Sequence, residues 1–167
     1  MKKRVFFLFL IFAFTLSSFV SCSREKEFTH CELTLVLDGG FDEEASEEYD
    51  LLLTDGDVMV SVMRISLEAA FETGISDTYT AKGFAAFFMN RSEKSEELLM
   101  YGDVPYYCYT EKYEGSEFFH TVTFYRSYQA YFVVGYSVMG DGASHLDRFL
   151  EYADAAYFND APVITTK

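Results

Sequence analysis

Basic residues are scarce in this sequence, and three of the few stand at its very start. The chain of 167 residues carries 13 Lys and Arg against 27 Asp and Glu, a formal net charge of −14 at pH 7. Lys2, Lys3 and Arg4 precede the first acidic residue, so the remainder of the chain is more acidic than the total suggests. Such an excess of negative charge repels nucleic acid and keeps a domain soluble. We therefore expect no nucleic-acid partner.

Motifs that mark metal sites and catalytic centres are also missing. The cysteines show no C-x-x-C spacing, and His30, His120 and His145 show neither H-x-x-x-H nor H-E-x-x-H spacing. The nucleophile motif G-x-S-x-G is absent too. The sequence therefore predicts no catalytic residue, no metal ligands and no cofactor.

One acidic run, residues 42–50, offers carboxylate oxygens of the kind that Ca²⁺ prefers. The run lacks the order of acidic residues and glycine that an EF-hand loop requires. It is typical of a solvated acidic connection between two strands, and that interpretation and a cation site both stay open.

The N-terminus has the parts of a secretory signal peptide. Its basic start is followed by an apolar run over residues 5–16 and then by small residues. The apolar run is too short to span a hydrocarbon core, which takes about 20 residues. Residues 1–21 are therefore predicted to be a signal peptide that is removed on export.

The end of this segment resembles the lipobox of bacterial lipoproteins. Phe19, Val20, Ser21 and Cys22 stand where the family has a leucine-like residue, two small residues and the lipidated cysteine. The resemblance implies that Cys22 carries diacylglycerol and an amide-linked acyl chain such as palmitate, which together give stable anchoring. The protein would then sit on the extracytoplasmic side of the cell membrane. Cleavage after Ser23 is the alternative, and it would release a soluble secreted protein.

Two cysteines remain once Cys22 is lipidated, namely Cys31 and Cys108. An exported protein meets oxidising conditions, so the two can form a disulfide. Each also lies in an apolar strand pattern, where a free buried cysteine is common. The sequence leaves both alternatives open.

The rest of the chain reads as one domain over residues 30–159, after a tether over residues 22–29 and before a flexible tail over residues 160–167. Its centre is a predicted hairpin of two aromatic and β-branched strands, residues 118–126 and 130–139. Further strands are predicted over residues 30–38, 49–54, 58–65, 98–101 and 104–113. Helices are predicted over residues 66–73, from 77 or 78 to 90, and from 144 onward.

This order of elements resembles the PsbP-like fold. The resemblance is carried by residues 47–64 (EEYDLLLTDGDVMVSVMR), by the hairpin over residues 114–137 and by the helix after Gly142. It implies an α+β domain, an antiparallel sheet of about six strands with helices on both faces, or α/β/α sandwich. Members include a photosystem II extrinsic subunit, a nuclear import factor that binds the small GTPase Ran, and bacterial lipoproteins of unassigned role. They act mainly by binding proteins, each through its own surface, so no site residue is carried over.

Tyrosines are the residues that the sequence singles out for an interaction surface. If Tyr107, Tyr109 and Tyr125 share an uncovered sheet face, they suit a partner protein, a glycan or a cation; otherwise they complete the core. We therefore expect a lipid-anchored, extracytoplasmic binding or accessory module without catalytic activity, whose partner is an envelope protein or a glycan. The alternatives are a small hydrolase or transferase of the cell envelope and a carrier of a metal or small ligand.

Overall fold

The computed structural model describes residues 25–76, 78–92 and 96–159. The predicted signal peptide, Cys22, the first residues of the tether and the tail lie outside the described residues. Within the described ranges, no helix is both long and apolar enough to cross a membrane.

Ten strands and four helical segments occur in the described part of the chain. The strands are β1 (Lys26–His30), β2 (Leu33–Leu37), β3 (Asp42–Glu44), β4 (Leu51–Thr54), β5 (Val58–Ser66), β6 (Leu99–Tyr101), β7 (Val104–Tyr113), β8 (Ser116–Arg126), β9 (Ala130–Met139) and β10 (Tyr157–Phe158). The α-helices are α1 (Leu67–Glu72), α2 (Ala81–Arg91) and α3 (Leu146–Ala155), and a 3₁₀-helix spans Gly142–His145.

A seven-stranded antiparallel sheet in the order β3-β4-β5-β9-β8-β7-β6 forms the body of the protein. The predicted hairpin is β8 and β9, and β9 is the middle strand, paired with β5 on its other side. Helix α3 lies on one face of the sheet, and α1 and α2 lie on the other. The predicted fold class, an α+β antiparallel sheet with helices on both faces, is confirmed, with seven strands in place of about six.

A second sheet was not predicted. It has three strands in the order β1-β2-β10, and its first strand is built from residues that the sequence analysis assigned to a tether. Lys26–His30 pairs with Leu33–Leu37, and Phe28 is buried at 8% exposure. The tether prediction is therefore wrong from Lys26 onward. Phe28 is buried, but the charged and polar residues around it give no alternating apolar pattern that would predict a strand.

One face of the large sheet, here called the closed face, is covered by α3 and the small sheet over its central strands. Its core joins alternate residues of β2, β5 and β9 to the apolar side of α3. Tyr136 and Phe149 are fully buried there, with their rings stacked at a centroid distance of 5.5 Å. The alternation of buried and less buried residues along β5, beginning at Val58, follows from the period of two in a strand.

Two polar networks fix the small sheet and α3 to the large sheet. Glu32, at 4% exposure in the turn between β1 and β2, accepts hydrogen bonds from Arg64 at 3.2 Å and from Ser127 at 2.7 Å. Arg148 of α3 makes ion pairs with Asp38 at 2.9 Å and with Asp55 at 3.3 Å. Each network joins segments that are far apart in the sequence, so each holds the cover of the closed face in place.

The opposite face is covered at one end by α1 and α2. Phe84 of α2 is fully buried and stacks on Tyr131 at 4.5 Å, and the Tyr131 hydroxyl donates to the Ser76 carbonyl oxygen at 2.7 Å. The Thr80 side chain caps α2, so the helix begins a few residues later than the predicted start at residue 77 or 78. The helix predicted from residue 144 likewise begins at Leu146, after a 3₁₀-helix capped by Asp141.

Candidate functional site

The face that carries α1 and α2 is only partly covered, and two adjoining hollows lie on the part they leave bare. Their volumes are about 270 and 440 Å³, and they meet at Met59, His120 and Ser137. Phe88 of α2 closes one end, and His145 of the 3₁₀-helix lies at the other. We call this continuous depression the open cleft, and it is the candidate site.

A glycine in the central strand makes the floor of the open cleft. The register places Ser61, Gly135, Val122 and Tyr107 in one row across β5, β9, β8 and β7. A Cβ atom on Gly135 would lie 2.8 Å from the Ser61 Oγ, closer than side chains pack. The missing side chain in the middle of this row therefore produces the hollow.

One wall of the cleft is a series of aromatic rings on β7 and β8. Tyr107 and Tyr109 have a centroid distance of 5.8 Å, and Tyr109 and His120 stack at 4.6 Å with an angle of 15° between their planes. At such a short distance two nearly parallel rings must overlap face to face. The His120 Nδ1 also lies 2.7 Å from the Ser137 Oγ. The faces of Tyr109 and His120 are therefore directed at each other.

The opposite wall is lined by methionines of β5. Met59 and Met63 are each 37% exposed, which is high for an apolar side chain on a central strand. Met139 extends the apolar surface into the larger hollow. Flexible, polarisable methionine side chains suit a surface that adapts to a bound partner.

Acidic side chains give the cleft a negative charge. Glu111 and Asp57 line it, and neither hollow has a Lys or Arg among its described lining residues. Burial first, then the neighbouring Tyr109 and then the negative charge of Glu96 raise the pKa of the Tyr107 hydroxyl. Burial and the charge of Glu111 likewise raise the pKa of Tyr109. Both phenols therefore stay protonated at neutral pH, and the carboxylates carry the charge.

Two of the three tyrosines proposed from the sequence meet in this cleft, and the third does not. Tyr107 and Tyr109 are neighbours on its wall. Tyr125 belongs to the closed face, where its hydroxyl donates to the Ala153 carbonyl oxygen at 3.0 Å and burial raises its pKa to about 12. Its place in the surface prediction is wrong, because in β8 it alternates with Phe124, which faces α2.

The methionine wall and the glycine floor were not predicted from the sequence. The signal was present in β5, where valines at 58, 60 and 62 alternate with Met59, Ser61 and Met63. The valines are buried in the core of the closed face. That alternation assigns the methionines and the serine to the other face, and only the pairing of β5 with β9 shows that Ser61 lies opposite Gly135.

The two cysteines of the domain are free thiols in the structure, so the disulfide alternative is wrong. Cys31 is exposed in the turn between β1 and β2, whereas Cys108 lies in β7 of the other sheet. The Cys108 Sγ lies 3.5 Å from the Thr121 Oγ1. Burial raises the pKa of the Cys108 thiol, which makes it a poor nucleophile at neutral pH.

The acidic run does not collect its carboxylates at one point. Asp42–Glu44 forms the edge strand β3, and Asp42 makes an ion pair with Lys26 at 3.1 Å. Farther along, the Ser46 Oγ accepts hydrogen bonds from the backbone of Glu48 and Tyr49. The described residues contain no group of three or more His, Cys, Asp or Glu side chains able to hold a metal ion.

The His120–Ser137 pair bears on the hydrolase alternative, because the distance between them suits a base and a nucleophile. Ser137, however, lies within β9, which is paired with β5 on one side and β8 on the other. Acyl transfer needs backbone or side-chain donors aimed at a developing oxyanion, and the backbone of a central strand is occupied by its neighbours. The pair therefore serves better as a polar contact in the cleft than as a catalytic dyad.

Similar folds occur among solved structures. A crystal structure from Bacteroides thetaiotaomicron VPI-5482 matches with a TM-score of 0.55 at 11% identity, covering 81% of this chain and 48% of that one. This chain therefore spans about half the length of that structure. The solution structure of cyanobacterial PsbP (CyanoP) from Synechocystis sp. PCC 6803 has a TM-score of 0.48 at 12% identity, covering 84% of this chain and 95% of that one. No protein-family model and no curated protein matches the sequence. The Bacteroides likeness shows the fold alone, so function has to be argued from this chain's own residues.

Proposed function

We propose that this protein is a lipid-anchored, extracytoplasmic binding module of the PsbP-like lipoprotein type, which holds a partner in the open cleft and performs no catalysis. The proposal is based on one observation, that half of the sheet face opposite the closed face is uncovered. Most of the apolar surface of the large sheet is covered by the chain itself, yet the cleft leaves methionine and aromatic side chains beside a polar floor. Uncovered apolar surface with a polar rim is typical of an interaction site.

The anchor is supported by the sequence before Lys26. The lipobox-like residues end at Cys22, and β1 begins four residues later, at Lys26. An extended chain spans about 3.5 Å per residue, so the first strand would start within about 14 Å of the lipidated residue. The domain would therefore lie close to the membrane surface and meet partners within the envelope.

Two measurements test the anchor. Cells that produce the protein are labelled with an alkyne-bearing fatty acid, and the protein is then separated into membrane and soluble fractions. We expect label and membrane association in the wild type and loss of both in Cys22→Ala. Unchanged partition of the variant would show that the anchor is not at Cys22.

Photo-crosslinking tests the cleft as a binding surface. The photoreactive residue p-benzoylphenylalanine is introduced in place of Met63 in one variant and of Met100 in another. Met100 is the matched control, because its side chain is exposed to a similar extent as that of Met63, 43% against 37%, but lies on the edge strand β6 outside the cleft. We expect irradiation of intact cells to give a discrete adduct from position 63 and none from position 100. Absence of an adduct from position 63, or the same adduct from both, would contradict a partner in the cleft.

A further inference from the structure

We propose that the ligand of the open cleft is a Lys or Arg side chain presented by a basic segment of a partner protein. This inference rests on the proposed function and adds the chemistry of the partner. It is argued from the charge of the cleft, from the way its rings are stacked and from its size.

Charge is the first argument. The aromatic wall has Glu111 at its rim and Glu96 close enough to act on the Tyr107 phenol, while the larger hollow has Asp57. The two hollows have no Lys or Arg among their described lining residues, and the chain as a whole carries a formal charge of −14. An ammonium or guanidinium group is attracted to such a site at long range and meets carboxylates inside it.

The stacking of the rings is the second argument, and it separates a cation from a glycan. Sugars bind to proteins by laying their C–H faces on exposed aromatic faces. The faces of Tyr109 and His120 are instead turned toward each other at 4.6 Å, and Tyr107 stacks on Phe124 at 6.0 Å. Rings packed against one another in this way leave little free face for a sugar, whereas a tyrosine hydroxyl oxygen can accept a hydrogen bond from a cationic head group.

Size and surface chemistry are the third argument. The hollow beside Tyr107 has a volume of about 270 Å³, which is small for a pocket that encloses a drug-sized molecule. It suits one long side chain, whose aliphatic stem would lie on Met59, Met63 and Val122 while its charged end reaches Glu111. The adjoining hollow of about 440 Å³ gives room for the neighbouring residues of the same segment.

The test uses the full protein, purified in detergent after processing by the cell. The probe is a fluorescein-labelled peptide of alternating Gly and Arg. A second peptide carries citrulline in place of each Arg, which keeps the shape and removes the charge. Fluorescence anisotropy gives the dissociation constants. We expect the Arg peptide to bind, and the citrulline peptide to bind roughly tenfold more weakly or worse.

Two matched pairs of variants locate the binding. Met63→Lys places a competing cation inside the cleft, and Met100→Lys makes the same charge change on β6, outside it. We expect the first to abolish binding and the second to weaken it only slightly. Glu111→Gln should weaken binding roughly 2- to 5-fold, the worth of one exposed ion pair. Glu151→Gln, on the exposed side of α3 over the closed face, should leave it unchanged.

Four results would overturn the inference. Equal binding of both peptides, weakened by Met63→Lys, would leave the cleft a binding site but not one for a cation. Equal loss from Met63→Lys and Met100→Lys would show general attraction to an acidic surface. Competition by free agmatine as strong as that by the peptide would make the ligand a small cation. Absence of Arg-peptide binding to the wild type would reject the basic segment, while the crosslinking at position 63 decides separately whether the cleft holds any partner.

Discussion

The two faces of the seven-stranded sheet differ in how far the rest of the chain covers them. On the closed face, Tyr136 is completely buried against Phe149 of α3. On the other face, Phe124 is buried against Phe84 of α2, yet Met59 and Met63 stay 37% exposed on a central strand. The side chains of the closed face contribute to stability through burial, whereas those on the bare half of the other face remain exposed.

The difference follows from where the covering segments come from. The closed face is covered by both ends of the described chain, β1 and β2 from the start and α3 and β10 from the end. Among the described residues, the cover of the other face comes from the short stretch between β5 and β6, in which α1 and α2 together span few turns. A sheet whose residues are apolar on both faces therefore remains open wherever this stretch is too short to reach.

The largest expected effect comes from truncating one large side chain on each face. Phe149→Ala should lower the free energy of unfolding by about 3–5 kcal/mol, because it leaves a cavity in a fully packed core. Met63→Ala should cost less than about 1 kcal/mol, since that side chain is already partly in water. Urea unfolding measures both. Similar losses of unfolding free energy for the two variants would mean that the rest of the chain covers both faces equally well.

The next effect concerns the network that attaches the small sheet. Glu32→Ala should lower stability by about 2–3 kcal/mol, because Arg64 and Ser127 lose a buried partner. Burial acts to raise the pKa of Glu32, but hydrogen bonds from Ser127 and Arg64 outweigh it and hold the pKa below its usual value of 4.5. A lowered pKa means that the contribution of Glu32 is present above pH 4.5 and is lost as the pH falls below it.

A pH series of unfolding curves checks this sign. The wild type should lose stability between neutral pH and pH 3 more steeply than Glu32→Gln, which has no proton to gain. Parallel curves for the two proteins would show that Glu32 is not held in its charged form by this network.

A smaller effect than that of Glu32→Ala tests the floor of the open cleft. Gly135→Ala should cost about 1–2 kcal/mol, because its Cβ would lie 2.8 Å from the Ser61 Oγ. Ser61→Ala removes that oxygen, so the double variant should recover most of the loss. Thermal unfolding of the wild type, both single variants and the double variant gives the coupling. Strictly additive losses would place Ser61 away from Gly135.

The central hairpin could be predicted from the sequence because β8 and β9 carry a dense aromatic and β-branched pattern, and the bounds predicted for β9 match the structure. The β-strand over Lys26–His30 could not, because Phe28 stands among charged and polar residues. The abundance of tyrosine in the later strands led to the prediction of Tyr107 and Tyr109 as site residues. Tyr125 was predicted to share their face, but it directly follows Phe124 in β8, so the two side chains lie on opposite faces and Tyr125 belongs to the closed face. The cleft itself depends on which strands pair and how far α2 reaches, and neither is encoded in a local pattern.

Oxidation of individual methionines by dilute hydrogen peroxide tests the open cleft most directly. Mass spectrometry of the purified protein compares Met59 and Met63 with exposed Met100 on β6 and with Met89, which is 6% exposed on the buried side of α2. Because oxidation follows exposure, Met59 and Met63 should react at rates near that of Met100, and Met89 should react several-fold more slowly. If Met59 and Met63 react as slowly as Met89, the chain itself covers this face and the open cleft does not exist.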